Sequence, residues 1–390
     1  MRRITLFFLG FAVASPSMAQ TVLDTNSPIG IQAGRFTILP AVETIAALTY
    51  GDTITPGWSI VASPEIRIQT DWRALSVELF FGGDFSLSDG RSLATLAELD
   101  LRLDLGALWT FDIAAAYEIA PRGASDAALP DGIDAIPNVR GIGASATIAG
   151  AIGNLDLQLD AGFQRNLFDD AFVGGFPVDQ SERNNNLATV ALRLEPNGGA
   201  LLTPFVEANG GRRSYDQLVG TDGLLQASNF VGLRGGITYD SAPVTVAEIG
   251  IGARWEMPDD PGLASTRAIT VDAGLLWSPR EPISFDMSVN TVFTPDASLD
   301  WGDSVSRDAS IAANLDVLRA LQLTGFASFG VESYADGMIE RSASAGGGIA
   351  WSPDRWLRFS ASYIHDWLWS PDPLRQGSSG TLALTARVQR

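Results

Sequence analysis

The chain has 390 residues, 45 acidic against 26 basic, for a formal charge of −19, with one histidine and no cysteine. Such an acidic balance argues against nucleic acid as a partner, because the phosphates would be repelled. Without cysteine there is neither a disulfide framework nor a Cys/His zinc site.

The first residues, MRRITLFFLGFAVASPSMAQ, place Arg2 and Arg3 before an apolar run from Ile4 to about Ala14, followed by small residues at Ser17 and Ala19. That order predicts a secretory leader over residues 1–19, cleaved before Gln20. The run is too short to span ~30 Å of hydrocarbon. Residues 20–33 then read as a short periplasmic N-terminal segment, and 34–390 as one continuous domain without a linker or composition break.

From Gly34 onward the apolar residues recur every second position. Ala97, Leu99, Leu101, Leu103 and Leu105 alternate with Glu98, Asp100, Arg102 and Asp104. Leu75, Val77, Leu79 and Phe81 alternate with Ser76 and Glu78; Leu155, Leu157 and Leu159 with Asp156, Gln158 and Asp160; Ile283, Phe285 and Met287 with Ser284, Asp286 and Ser288. Period two marks strands with one dry and one wet face. Short turns fall near 71–73, 106–107, 153–154, 196–199, 241–243, 278–282, 318–321 and 352–355. Longer loops rich in Asp, Gly, Pro and Ser fall near 50–57, 88–92, 121–139, 168–184, 214–227, 256–265, 294–306, 334–340 and 366–379. Eight turns and nine loops separate about eighteen strands, with 16 or 14 as alternatives.

A local echo marks two of the turns: Trp277-Ser278-Pro279 with Phe285, and Trp351-Ser352-Pro353 with Phe359. Proline cannot donate to a sheet ladder and reads as a reversal. Trp72, Trp109, Trp277, Trp351 and Trp356 all stand near short turns. Rings with a polar N–H suit a membrane–water boundary, so these five are expected to form an interface girdle.

A sheet survives in lipid only when closed, because every backbone group must pair internally. An even strand count, alternation, turns short on one side and long on the other, and a leader for export together predict one all-β domain: a transmembrane antiparallel β-barrel of the bacterial outer membrane. The segment Ala33-Gly-Arg-Phe-Thr-Ile-Leu-Pro-Ala-Val-Glu43, Tyr50-Gly51-Asp52 and the Trp-Ser-Pro turns resemble the outer-membrane β-barrel porins of Proteobacteria, over most of the mature chain. The resemblance implies an outer-membrane location and no catalytic residues, and some members of that family sit in exopolysaccharide export loci. The final strand, 381–390, lacks the terminal aromatic residue that barrel-insertion machinery commonly recognises.

His365 follows the lipid-facing register of Phe359, Ala361 and Tyr363, which suits a boundary residue better than a general base. Acidic pairs such as Asp169-Asp170 and Asp259-Asp260 lack calcium-loop spacing. No cofactor, metal site or enzymatic activity is therefore expected. Function is sought in the lumen, whose polar register is Glu65, Arg67, Glu78, Glu98, Asp100, Arg102, Asp104, Asp156, Asp160, Arg193, Arg234, Glu248, Arg254, Asp272, Asp286, Glu332 and Arg358. Carboxylates predominate among them, which favours cations. Arg102 is expected between two carboxylates of its own strand, and the loop at 121–139 is a candidate constriction. The expected function is a passive channel for small hydrophilic solutes or a polysaccharide-related substrate; the alternative is a non-conducting partner of an envelope or exopolysaccharide export system. The expected partners are outer-membrane lipid, lipopolysaccharide, the insertion machinery and polysaccharide-export components.

Overall fold

The computed structural model describes residues 28–52, 56–70, 72, 74–87, 92–121, 133–135, 137–217, 223, 225, 227–263, 265–280, 282–294, 304–318, 320–334, 337–373 and 375–390. The predicted leader lies outside them.

Among the described residues, eighteen antiparallel strands form the wall. They are β1 (Phe36–Gly51), β2 (Gly57–Thr70), β3 (Leu75–Ser86), β4 (Ser92–Leu105), β5 (Trp109–Pro121) and β6 (Asn138–Ile152). Next come β7 (Leu155–Phe168), β8 (Asn185–Pro196), β9 (Leu202–Tyr215), β10 (Ser228–Ser241), β11 (Thr245–Pro258) and β12 (Thr266–Arg280). The last six are β13 (Ile283–Thr294), β14 (Ser304–Leu318), β15 (Leu321–Tyr334), β16 (Ile339–Asp354), β17 (Leu357–Trp369) and β18 (Gly377–Gln389). Each pairs with its neighbour in sequence, and β18 returns to β1 from Ala41↔Gln389 to Gly51↔Ser379, so the sheet closes. At 12 to 16 residues every strand exceeds the ~9–11 that a tilted membrane crossing needs. All the short connections leave one end of the barrel and all the loops the other, as the turn chemistry predicts.

Burial is inverted relative to a water-soluble domain. Leu233 (59 % exposed), Ile251 (59 %), Ile269 (64 %) and Leu384 (51 %) present apolar side chains outward, while the most deeply buried large side chain is the carboxylate Glu256 at 2 %. A continuous exposed apolar wall in water would aggregate. In hydrocarbon it is the required surface.

The echoed turns differ in detail from expectation. The strands run on through Ser278-Pro279 to Arg280 and through Ser352-Pro353 to Asp354, with a bulge in each ladder after the tryptophan. Proline therefore makes the bulge and not the reversal. Its missing N–H breaks the bond to the next strand, while Ser278 still donates to Val244 (2.7 Å) and Ser352 to Ala320 (2.8 Å), the turn residues that lead into the strand before. Both tryptophans stack on the paired phenylalanine, Trp277 on Phe285 at 5.2 Å and Trp351 on Phe359 at 5.9 Å. Trp109 opens β5, Trp72 meets Phe36 edge-on at 6.1 Å, and Trp356 lies beneath Arg390 at 5.9 Å. All five stand at the short-turn end.

Two features were not foreseen. Ile31–Ala33 folds back on β1 through Gly34, whose φ of +68° suits glycine. At the loop end, Ile133–Ala135, Ala171–Val173 and Phe176–Val178 make a small three-stranded sheet from two different loops.

Candidate functional site in the barrel lumen

Register decides which side chains share the inner face. On β8 to β12 the paired positions Arg193↔Glu207, Glu207↔Arg234, Thr238↔Glu248 and Gly250↔Asp272 place the charges on one face and the exposed leucines and isoleucines on the other. The apolar face meets lipid, so the charged face is the lumen wall.

Two arginines organise this arc. Arg193 reaches Glu248 at 2.9 Å and Glu195 at 3.3 Å. Arg234 reaches Glu207 at 2.7 Å, Asp272 at 3.4 Å and Glu248 at 3.7 Å. Both guanidinium groups lie over the ring of Phe205, at 3.7 and 5.3 Å from its centre. Phe205 lies flat because inward glycines leave room for it: a Cβ on Gly236 would come within 2.5 Å of its Cζ, and one on Gly250 within 3.3 Å. Nearer the loops the pattern repeats, with Arg254 over Phe230 at 3.8 Å and paired to Glu256 at 2.8 Å. Phe230 in turn lies against Gly211, where a Cβ would stand 2.6 Å from its ring. The aromatic plates hold the cations flat to the wall, and the carboxylates neutralise them.

The arc from β2 to β5 is different. Arg67 pairs with Glu78 at 3.2 Å. Arg102 reaches Asp104 along its own strand and Asp112 across the seam, both at 3.5 Å, so its second carboxylate is Asp112 and not Asp100. Glu98, Asp100 and Glu118 share this face, since Leu96↔Glu118 and Arg102↔Asp112 are in register, and among the described residues none of the three makes an ion pair. The acidic arc is centred on β4 and the arginine arc on β10, six strands apart in a ring of eighteen.

The remaining predicted lumen residues are scattered. Asp160 accepts from Thr147 at 2.7 Å and from Gln158 at 3.0 Å. Asp156 stands in register with Glu195. Glu332 accepts from Ser304 at 2.6 Å and Arg358 donates to Gln322 at 3.0 Å, while the exposed Asp286 carries no ion pair among the described residues. Glu65 binds Arg387 of β18, which also meets Glu43 at 3.6 Å, tying the closing seam together.

Sequence reasoning missed Glu207, Phe205, Phe230, Glu256 and Arg387. The glycines facing a strand-borne Phe could have signalled the cradles. It also placed the candidate constriction in 121–139, most of which lies outside the described residues. The described loop 169–184 packs back on the end of β7: buried Arg183 stands 5.0 Å from the ring of Phe168, and Phe168 N–H donates to Asn184 at 2.8 Å. His365 accepts or donates at 3.0 Å with Tyr363 and packs on Trp367 at 4.4 Å, within an outer aromatic group that includes the Tyr50–Tyr363 hydroxyl pair at 2.9 Å. Among the described residues no group of His, Asp and Glu could hold a metal ion.

Residues 24–390 match a family model described as "Putative beta-barrel porin 2". A search of curated proteins found no match. Among solved structures, the chain is similar to OccK2 (OpdF) of Pseudomonas aeruginosa in complex with glucuronate, at 9 % identity over 90 % of this chain and 98 % of that one, TM-score 0.50. It is also similar to OccAB4 of Acinetobacter baumannii, at 10 % identity over 94 % and 99 %, TM-score 0.49. At 9 % identity the likeness to OccK2 (OpdF) speaks to fold alone.

Proposed function

The chain belongs to the beta-barrel porin 2 family, and from that premise we propose a passive outer-membrane channel for small hydrophilic solutes, with a mild preference for cations. Barrels of 16 to 18 strands enclose more space than inward side chains fill, leaving an aqueous path. The observation that carries the reading is the unpaired acidic arc of Glu98, Asp100 and Glu118, six strands from arginines that are already neutralised. Free carboxylates attract cations, whereas paired arginines contribute little field of their own. No step of the reading requires a cofactor or a bond-making residue.

A second reading, a non-conducting partner of an envelope or polysaccharide-export system, draws on the packing of loop 169–184 against the loop end of β7 at Arg183. Refolded protein in a planar bilayer decides between them. Stepwise currents with a reversal potential displaced toward the cation support the channel, and heat-modifiable, folded barrels that give no steps overturn it.

A further inference from the structure

Among the described residues the longest interruption of the wall lies between β12 and β13. The β12–β13 ladder stops at Ala273↔Val289, although both strands continue toward the loop end: β12 stays paired to β11 as far as Glu256↔Thr266, and β13 to β14 as far as Thr294↔Ser304. Among the described residues both strands also outrun their ladder in the β2–β3, β4–β5 and β8–β9 seams, but by at most four residues; here β12 runs seven and β13 five residues beyond it. Side chains replace the first missing bonds. Val271 N–H donates to Thr291 Oγ1 at 3.0 Å, that hydroxyl donates to Val271 O at 3.1 Å, and Thr291 N–H donates to Asp272 Oδ1 at 3.2 Å. Beyond them, period two turns the backbone of Ile269 and Phe293 into the same seam with no ladder bond. Unpaired backbone against hydrocarbon is costly, so a break of this kind persists in a membrane wall only where something else occupies it.

The two sides of the break differ in chemistry. Outside, Ile269 is 64 % exposed. Inside, Arg254 lies 4.8 Å from the ring of Phe293. Arg213 stands near Arg254, forms no ion pair among the described residues, and has its Nε buried without a hydrogen-bond partner. Glu256 is the carboxylate paired to Arg254, so the group of Arg213, Arg254 and Glu256 keeps one cation in excess.

We propose that the β12–β13 seam is a lateral opening for a single-chain amphiphile with an anionic head, the head held at Arg213 and Arg254 and the alkyl chain passing between the strands into the outer leaflet. Apolar groups line the path of the chain, and the excess guanidinium marks the end for the head. Thr291 acts as the latch, and its partner Asp272 also binds Arg234, which links the seam to the lumen ion pairs. The proposal requires no ionic current and stands or falls separately from the channel reading.

The experiment uses refolded full-length barrel in phosphatidylcholine vesicles with palmitate bearing a diazirine on its chain. The expected result is labelling concentrated on 267–272 and 290–293, competed by dodecanoate and not by the neutral dodecyl maltoside. Arg213→Gln should lower that labelling at least fivefold, and Thr291→Val should raise it about twofold, with heat-modifiable mobility retained in both. Labelling spread evenly round the outer wall, competition by dodecyl maltoside, or indifference to both substitutions overturns the proposal. A second arm joins Thr270→Cys and Val292→Cys with a short bismaleimide, made clean by the absence of native cysteine. Unchanged labelling of the joined barrel also overturns it.

Discussion

The guanidinium carbon of Arg193 lies 3.7 Å from the ring centre of Phe205, and Phe205 lies flat only because Gly236 and Gly250 have no side chains beneath it. A methyl group at Gly236 would collide with both the ring and the carbonyl of Ile249. Gly236→Ala should therefore destabilise the barrel by about 1–3 kcal/mol through overpacking. Gly235→Ala, whose Cβ would meet only the Phe205 carbonyl at 3.7 Å, should be near neutral. Urea unfolding in vesicles, followed by tryptophan fluorescence, measures both.

The acidic arc should set ion preference without setting stability. Glu98→Gln with Asp100→Asn removes two charges that make no ion pair among the described residues. The reversal potential in a salt gradient should move toward zero or change sign while the unfolding midpoint stays within about 0.5 kcal/mol, as expected of substitutions that disturb no packing. An unchanged reversal potential would remove the basis for cation preference.

Leu101 stands four residues from the turn end of β4, about 13 Å along the strand at ~3.3 Å per residue, in register with Val77 and Ile113 on the lipid face. Leu101→Arg should cost about 2–4 kcal/mol, the expected penalty for a cation near the bilayer midplane. Arg102, one residue on, faces the lumen, and Arg102→Leu should cost much less. The comparison tests which face of β4 is which.

Asp260 sits in the loop between β11 and β12, where its carboxylate accepts the N–H of Leu225 at 2.9 Å and of Gly262 at 2.7 Å. These bonds hold its pKa below the ordinary carboxylate value. A depressed folded pKa contributes stability that is full above the unfolded value, near 3.9, and is lost as pH falls through the lower folded one. The loop should hold at pH 5 and loosen only in stronger acid, with Asp260→Asn abolishing the pH dependence. Carbon NMR of the Asp260 carboxyl and protease sensitivity of residues 256–265 check it.

Arg183 is held against Phe168 at the loop end of the lumen. If loop 169–184 borders the conducting route, Arg183→Ala should enlarge the single-channel current and further favour cations, because the substitution removes a bulky cationic group. No change in either would place loop 169–184 clear of the conducting route.

Period-two alternation and turn chemistry made the barrel legible. LAELDLRLDL can bury one face and wet the other only as a strand, and the unequal connections orient the two ends. Less of the site could be read. Alternation put Arg193, Arg234 and Glu248 on the polar register, but partners on strands three apart, such as Arg193 and Glu248, follow from how neighbouring strands are staggered. The same limit explains Asp112 replacing Asp100 as the second partner of Arg102: Asp112 stands directly opposite Arg102 across the β4–β5 ladder, a pairing that only the register fixes.

The Trp-Ser-Pro turns show the boundary most clearly. Sequence located both reversals, but whether proline ends the strand or bulges it depends on which neighbouring strand is there to accept the Ser278 and Ser352 bonds. What the sequence by itself determined was local: strand against turn, lipid face against lumen face, one end against the other, since each follows from the chemistry of residues one or two apart. What only the tertiary structure decided was the long-range register. It sets which arginine meets which carboxylate, lets a phenylalanine lie over glycines of other strands, and ends the β12–β13 ladder at Ala273 and Val289.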